Sequence, residues 1–227
     1  MKNTPILHFL EELTQNNSKD WMDANRDWYL QVKERLLEDV AEILSALSER
    51  QPLFSELRPK DCIFRQNRDV RFSANKQPYK TNMAAYFAIG GKKSAGPGYY
   101  LHLQPGGSFV GGGIYMPAAE TLKKIRQEID YSGEELDNIL HRPEFHSFFG
   151  DMEGEQLKTS PRDYDKDHPY LKYLKYKSFI VSKPVSDQEI HSGNYVKQAI
   201  SAFEMMLPFY EFLERAIGTT EDEAFLL

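Results

Sequence analysis

Apolar residues recur at helical spacing at both ends of the chain, and this spacing predicts helices there. Asn16-Asn17-Ser18 breaks the first helix and offers an N-cap for a long helix with one apolar stripe, and Pro208 is placed to begin the last helix. The predicted helices are residues 5–14, about 19–49, a helix after Met116 carrying Leu122, Ile125 and Ile129, a short helix carrying Leu136, Ile139 and Leu140, residues 187–206 and residues 208–217.

The middle of the chain has a different pattern, with short runs of aromatic and β-branched residues separated by Gly and Pro. Pro105-Gly106-Gly107 joins two of these runs and indicates a hairpin. Three successive glycines, Gly111 to Gly113, indicate a bulge or the close approach of another backbone or a ligand. The predicted strands are Cys62–Phe72, Ala84–Ile89, Tyr99–Gln104, Ser108–Met116 and Phe179–Val181.

Groups of helices therefore flank a run of adjacent strands. This order predicts an α+β protein with a mainly antiparallel sheet, packed with the N-terminal and C-terminal helices. The chain contains no repeat and no long linker, so we expect a single domain over residues 1–227.

Composition narrows the class of protein. Of 227 residues, 28 are Lys or Arg and 34 are Asp or Glu, which gives a net charge of −6. The single cysteine excludes an internal disulfide and a cysteine-based zinc site. No apolar run approaches the ~20 residues of a membrane span, so we expect a cytoplasmic protein without a membrane partner. The acidity also disfavours nucleic acid as a partner.

One segment departs from this acidity. From Arg58 to Lys80 there are seven cations and two acids, a local charge of +5, which leaves −11 for the remaining residues. If residues 62–72 form one strand, Arg65, Asp69 and Arg71 share a face. Arg68 then lies on the opposite face, nearest the core.

Arginines grouped around one Asp suit an anionic ligand, because guanidinium groups bind phosphate or carboxylate through paired donors. We therefore predict an anion pocket for a small molecule. If the protein is an enzyme, we expect a phosphorylated small molecule as its substrate, with Asp69 or Tyr79 in proton transfer. No cofactor and no metal ion is predicted, and the residues specify no reaction or oligomeric state. The candidate ligand-binding residues are Arg65, Arg68, Asp69, Arg71, Lys76, Tyr79 and Lys80.

Two other hypotheses fit the same segment. In the first, the arginines form internal salt bridges in a structural or protein-interaction domain without enzymatic activity. In the second, which the net charge disfavours, the cations bind single-stranded nucleic acid with Phe72, Tyr79 and Tyr99 as stacking surfaces.

The same residues resemble those of the domain-of-unknown-function 2461 family. The resemblance rests on Asn16-Asn17 and Trp21, on Arg68-Asp69-Val70-Arg71-Phe72 with Lys76-x-Pro78-Tyr79-Lys80, on Tyr99 to Leu103 with the three glycines, and on Asp167-His168-Pro169. It extends over nearly the whole chain, although Met22 stands where an aromatic residue is expected. It implies a compact domain of the bacterial cytoplasm and carries over no activity, cofactor or catalytic residue.

Overall fold

A computed structural model of the chain describes residues 5–218. Four strands form one antiparallel sheet in the order β1-β2-β3-β4, which confirms the predicted α+β class. The strands are β1 Met83–Phe87, β2 Gly98–Leu103, β3 Phe109–Ile114 and β4 Phe179–Pro184. The helices are α1 Ile6–Gln15, α2 Lys19–Ala24, α3 Arg26–Arg50, α4 Pro59–Cys62, α5 Ala119–His141, α6 Pro143–Phe149, α7 Leu171–Leu174, α8 Asp187–Ser192 and α9 Tyr195–Ile217, with a 3-10 helix at Pro52–Glu56.

The described residues group into two compact units. The first comprises residues 5–92, 100–110 and 184–201, and the second comprises residues 93–99, 111–183 and 202–218. Strands β2 and β3 and helix α9 contribute residues to both. The single domain over residues 1–227 stays a prediction. Within residues 5–218, none of the helices combines the length and the apolar character needed to cross a membrane.

The N-terminal helices differ from the prediction at one residue. Ser18 caps α2 as expected, and its hydroxyl accepts a hydrogen bond from the Trp21 amide at 3.2 Å. The predicted long helix is nevertheless two helices, because Asn25 leaves the helical conformation (φ −110°, ψ 24°). Its side-chain amide donates to the Trp21 carbonyl at 2.9 Å, which closes the end of α2. A single non-helical residue leaves the apolar spacing almost unchanged, so the spacing does not reveal it.

The C-terminal helices also divide at a different place. The break falls at Gly193, which adopts a left-handed conformation (φ 76°) after α8, and Pro208 lies inside α9 instead of beginning a helix. Helix α5 joins the two predicted helices across a non-helical Ser132. The Tyr170 ring packs beside this kink, where a Cβ on Gly133 would lie 2.2 Å from it.

The predicted strand Cys62–Phe72 is wrong, whereas the other four strands are confirmed with small shifts of their ends. Cys62 ends the short helix α4, and the residues after it form isolated bridges at Ile63 and Asn67 instead of a ladder. The segment is rich in polar side chains that bond to nearby backbone, and such bonds compete with a regular strand.

A buried polar group ties α3 to the beginning of α9. Asp39 is 1% exposed; it accepts a short hydrogen bond from the Tyr195 hydroxyl and lies 2.6 Å from the Arg35 guanidinium. Burial raises the pKa of Asp39, although its two partners act in the opposite direction. A buried carboxylate requires such partners, because an unpaired buried charge is strongly destabilising.

The three glycines of β3 allow other parts of the second unit to approach closely. A Cβ on Gly111 would lie 2.8 Å from the Val181 carbonyl oxygen, and one on Gly112 would lie 2.8 Å from the Met206 sulfur. Gly113 is the most restricted, since its φ is +119° and a Cβ would lie 2.0 Å from the Phe179 oxygen. Of the two explanations for these glycines, close approach of another backbone therefore applies.

We expect Gly113→Ala to destabilise the fold by about 3 kcal/mol or more, because a strained backbone and a clash with β4 combine. Urea denaturation measures the loss. Gly106→Ala is the matched control, since Gly106 also has a positive φ (+67°) but open space around its Cβ position. That variant should lose only about 1 kcal/mol. Equal losses in the two variants would contradict the steric explanation.

Candidate functional site

Residues 63–85, which include most of the cation-rich segment from Arg58 to Lys80, form an irregular ribbon of two antiparallel arms in the first unit. The arms are residues 63–68 and 78–85, joined by a loop tip at residues 69–77. The Phe64 amide donates to the Ala84 carbonyl at 3.0 Å, and the Arg68 amide donates to the Pro78 carbonyl at 2.8 Å. The ribbon therefore brings side chains from both arms together at its base.

Gln66 holds the two arms together from inside the ribbon. Its side chain is 4% exposed, and its amide nitrogen donates to the Lys80 carbonyl in a short hydrogen bond and to the Asn82 carbonyl at 3.2 Å. The Lys80 amide in turn donates to the Gln66 carbonyl at 2.9 Å. Three hydrogen bonds thus fix the position of the backbone that carries the Lys80 side chain.

Asn17, in the turn between α1 and α2, holds the second arm through two hydrogen bonds. Its side chain donates to the Tyr79 carbonyl and accepts from the Tyr79 amide, both at 3.0 Å. The Tyr79 ring is buried. Burial raises the pKa of its hydroxyl, with smaller effects from Asp23, which raises it, and Arg26, which lowers it. Tyr79 is therefore directed toward the N-terminal helices.

Two of the predicted ligand-binding cations hold the loop tip together. Arg68 donates to the Gln77 carbonyl at 3.1 Å and to the Ser73 hydroxyl at 3.3 Å. The Lys76 ammonium donates to the Val70 carbonyl at 3.0 Å. These donors satisfy backbone groups of a loop that has no regular hydrogen-bond partners.

Asp69 and Arg71 form an exposed ion pair in the loop tip. Arg71 binds the carboxylate through Nε at 3.0 Å and Nη2 at 2.7 Å, in a forked arrangement. This contact lowers the pKa of Asp69, so the carboxylate is a weaker base than usual. Neighbouring Phe72 is 95% exposed. Exposed pairs of this kind contribute little to stability.

Two lysines lie near one aromatic ring at the base of the ribbon. The Lys80 ammonium lies 5.2 Å from the centre of the Phe64 ring, and the Lys92 ammonium lies 5.6 Å from it. Lys92 also donates to the Ile63 carbonyl at 2.6 Å. Arg65, which is exposed, is close enough to affect the ionisation of Lys80. We call Arg65, Lys80 and Lys92 the cation cluster.

Like charges repel within the cation cluster. Burial lowers the pKa of Lys80, and the charges of Arg65 and Lys92 lower it further. Among the carboxylates of residues 5–218, none lies within ion-pair distance of any of the three cations. The half-exposed Phe64 ring attracts both ammonium groups through cation–π contacts, which offset part of the repulsion.

An aromatic and polar row on β2 and β3 adjoins Phe64. The Tyr100 ring meets Phe64 edge-on at 6.2 Å and lies 5.6 Å from Phe109. The Tyr100 hydroxyl is 3.2 Å from Nδ1 of His102, whose Nε2 is 3.0 Å from Oε1 of Gln104. These bonds place a hydroxyl, an imidazole and an amide beside the cation cluster.

The structure therefore divides the predicted site into three groups. Lys80 lies near the Phe64 ring, close enough to Arg65 for the Arg65 charge to lower the pKa of Lys80, whereas Arg68, Asp69, Arg71 and Lys76 lie in or beside the loop tip. Tyr79 lies apart, packed toward the helices. The shared face predicted for Arg65, Asp69 and Arg71 required a strand that does not form.

Sequence reasoning missed Lys92, Phe64 and Gln66. Lys92 follows a glycine turn after β1, outside the segment from Arg58 to Lys80. It comes near Phe64 because the chain folds back on itself where Ile63 pairs with Ala85. Gln66 has no sequence signal that distinguishes it from an exposed glutamine. The polar face of β2, carrying Tyr100 and His102, follows from the alternation of the strand.

A separate cleft of about 620 Å³ lies in the second unit, and none of the predicted site residues lines it. Its walls include Tyr131, Glu134, Glu211 and Arg215. The Arg215 guanidinium is already bound by Glu128 and Glu135 at 2.6–3.2 Å. This arrangement is an internal salt-bridge network.

The family comparison agrees with the resemblance found in the sequence. Residues 5–212 match the family described as conserved hypothetical protein (DUF2461), and the chain belongs to that family. Searches of the curated proteins and of the solved structures find no match. The family has no assigned function, so the chemistry of the site is the basis for a proposal.

We expect Gln66→Leu to loosen the ribbon, because two carbonyls lose their donor while the side-chain volume is roughly kept. The loss of stability should be about 1–3 kcal/mol, the usual cost of leaving buried polar groups unsatisfied. Urea denaturation measures it, and amide hydrogen exchange at Lys80 reports the local effect. Gln77→Leu, in the exposed loop tip, is the control and should change stability by less than about 0.5 kcal/mol. A similar effect of both variants would contradict the role of Gln66.

Proposed function

We propose that this chain binds the phosphate or carboxylate group of a small molecule at the cation cluster. The observation that carries the proposal is that the Lys80 and Lys92 ammonium groups lie 5.2 and 5.6 Å from the centre of one Phe64 ring, and no carboxylate of residues 5–218 lies within ion-pair distance of either. Asp61 acts on Lys92, and Asp69 on Arg65, only at longer range. An anion that reaches both ammonium groups would offset their repulsion.

The physical setting supports an anion more than a structural role for these three cations. Lys80 is half-buried, and like-charged neighbours lower its pKa. A protein gains no stability from holding such charges together, whereas charge-assisted hydrogen bonds to a bound anion are among the stronger polar contacts. We favour phosphate over carboxylate, since a dianion matches several converging cations better.

The proposal now concerns fewer residues than the sequence indicated. Arg65 and Lys80 keep the predicted role, and Lys92 joins them. For Asp69 and Arg71, the alternative of an internal salt bridge is favoured by their forked contact. The nucleic-acid hypothesis loses two of its stacking surfaces, because Tyr79 and Tyr99 are buried.

We expect Lys80→Ala to weaken sulfate binding about tenfold, since one charged hydrogen bond is lost. Isothermal titration calorimetry on the full chain measures the affinity. Lys76→Ala is the matched control, because it removes the same charge from the same ribbon but from an ammonium that binds the Val70 carbonyl. Sulfate binding should be unchanged in that variant.

Two results would contradict the proposal. An absence of sulfate and phosphate binding by the unmodified chain would remove the site. Equal weakening by Lys80→Ala and Lys76→Ala would mean that the anion responds only to overall charge.

We also expect sulfate affinity to fall as the pH rises toward the lowered pKa of Lys80. The anion binds the protonated ammonium, so affinity is present below that pKa and is lost above it. The fall should begin below the pH at which an ordinary lysine, with a pKa of 10.5, loses its proton. Sulfate keeps its charge throughout this range. In Lys80→Arg the fall should move to higher pH, because a guanidinium stays protonated; an unchanged pH profile would count against Lys80.

A further inference from the structure

The aromatic row beside the cation cluster is the feature that the anion site does not explain. It runs from Phe64 through Tyr100 to Phe109 and His102, with ring centres 4.8–6.2 Å apart. His102 and Phe109 are nearly parallel, at an angle of 16°. All of these side chains keep part of their surface exposed. Neighbouring rings are tilted, by 66° between Phe64 and Tyr100 and by 43° between Tyr100 and Phe109, so the row offers an uneven aromatic surface that begins at Phe64.

The polar edges of these rings are already held in position. Tyr100 and Gln104 bond to the two nitrogens of His102, at 3.2 and 3.0 Å. Gln104 is fixed in turn by Ser108, which bonds to its backbone amide at 3.0 Å and its carbonyl at 2.9 Å. These hydrogen bonds hold the Tyr100 and His102 rings in a fixed arrangement, in which His102 and Phe109 stack on each other and Tyr100 adjoins both at a tilt. A preformed surface of this kind loses little entropy when a ligand binds.

A simple packing role accounts for these rings less well. Leu101 and Leu103, on the opposite face of β2, are fully buried and supply the packing of the strand. The face that carries Tyr100 and His102 remains half-exposed, and it begins near cations that have no carboxylate within ion-pair distance among residues 5–218. Charge at one end and ring faces along the rest are complementary to an aromatic group that carries a phosphate.

We infer that the ligand is an aromatic phosphate monoester, such as an aryl phosphate or a nucleoside monophosphate. Its phosphate binds at the cation cluster, and its ring packs on the part of the row where Tyr100 meets Phe109. The inference rests on the proposed function, because the cation cluster must hold the phosphate. Stacking on aromatic side chains gains about tenfold or more in affinity per ring.

The test compares three phosphate esters on the full chain by calorimetry, at a pH above the second ionisation of all of them. Methyl phosphate supplies the phosphate alone, phenyl phosphate adds an aryl ring and adenosine monophosphate adds a nucleobase. We expect at least one aromatic ester to bind about tenfold more tightly than methyl phosphate. The ester that gains more distinguishes an aryl ring from a nucleobase.

A variant locates the gain. Phe109→Leu should remove the preference for the aromatic ester while leaving the affinity for methyl phosphate unchanged. Phe72→Leu is the control, because Phe72 is an exposed aromatic of the loop tip outside the row, and it should keep the preference.

The possible failures are distinguishable. If all three esters bind the unmodified chain equally, the aromatic inference is wrong and the anion site stands. If an aromatic ester is preferred but folded Phe109→Leu keeps the preference, the row is not the binding surface and the inference is wrong. If none of the esters binds, the proposed function itself fails. The comparison on the unmodified chain decides the question even if Phe109→Leu does not fold.

Discussion

The candidate site depends on one buried side chain, Gln66. Its amide bonds to carbonyls of the opposite arm, where a regular ladder would otherwise be needed. The ribbon can therefore remain irregular, and an irregular ribbon is not bound to the strict alternation of a strand. Phe64 and Lys80 consequently meet at the base of the ribbon, although they come from opposite arms. Asn17 has a related role for the second arm, where it pairs with the Tyr79 backbone.

The basic segment illustrates two uses of positive charge. In the loop tip, Arg68 and Lys76 bond to groups of the loop itself, and Arg71 is neutralised by Asp69. At the base of the ribbon, the Lys80 and Lys92 ammonium groups both lie near the Phe64 ring, and the charge of Arg65 is close enough to lower the pKa of Lys80. The first group stabilises a conformation, whereas the second leaves an electrostatic cost. Perturbed pKa values of this kind cluster at functional sites.

The aromatic row adjoins the cation cluster at Phe64. An isolated group of lysines would attract any anion, with affinity that depends mainly on ionic strength. Phe109 and His102 extend the surface across β3 and β2, so in the proposed complex recognition would depend on the organic part of the ligand as well as its charge. The hydrogen bonds between Tyr100, His102 and Gln104 hold this surface in place.

The sequence by itself determined the α+β class, the helix capped by Ser18, four of the strands and the family, because these depend on local periodicity, capping and motif spacing. It did not reveal the break at Asn25 or the continuity of α9 through Pro208, since a single residue barely changes an apolar stripe and the packing of the whole helix can outweigh a local preference. Only the tertiary structure decided which cations meet. Local alternation predicted one face for Arg65 and Arg71, but long-range pairing of Ile63 with Ala85 brought in Lys92 instead. Contacts between distant residues are set by how the arms pair, and local sequence patterns do not specify that pairing.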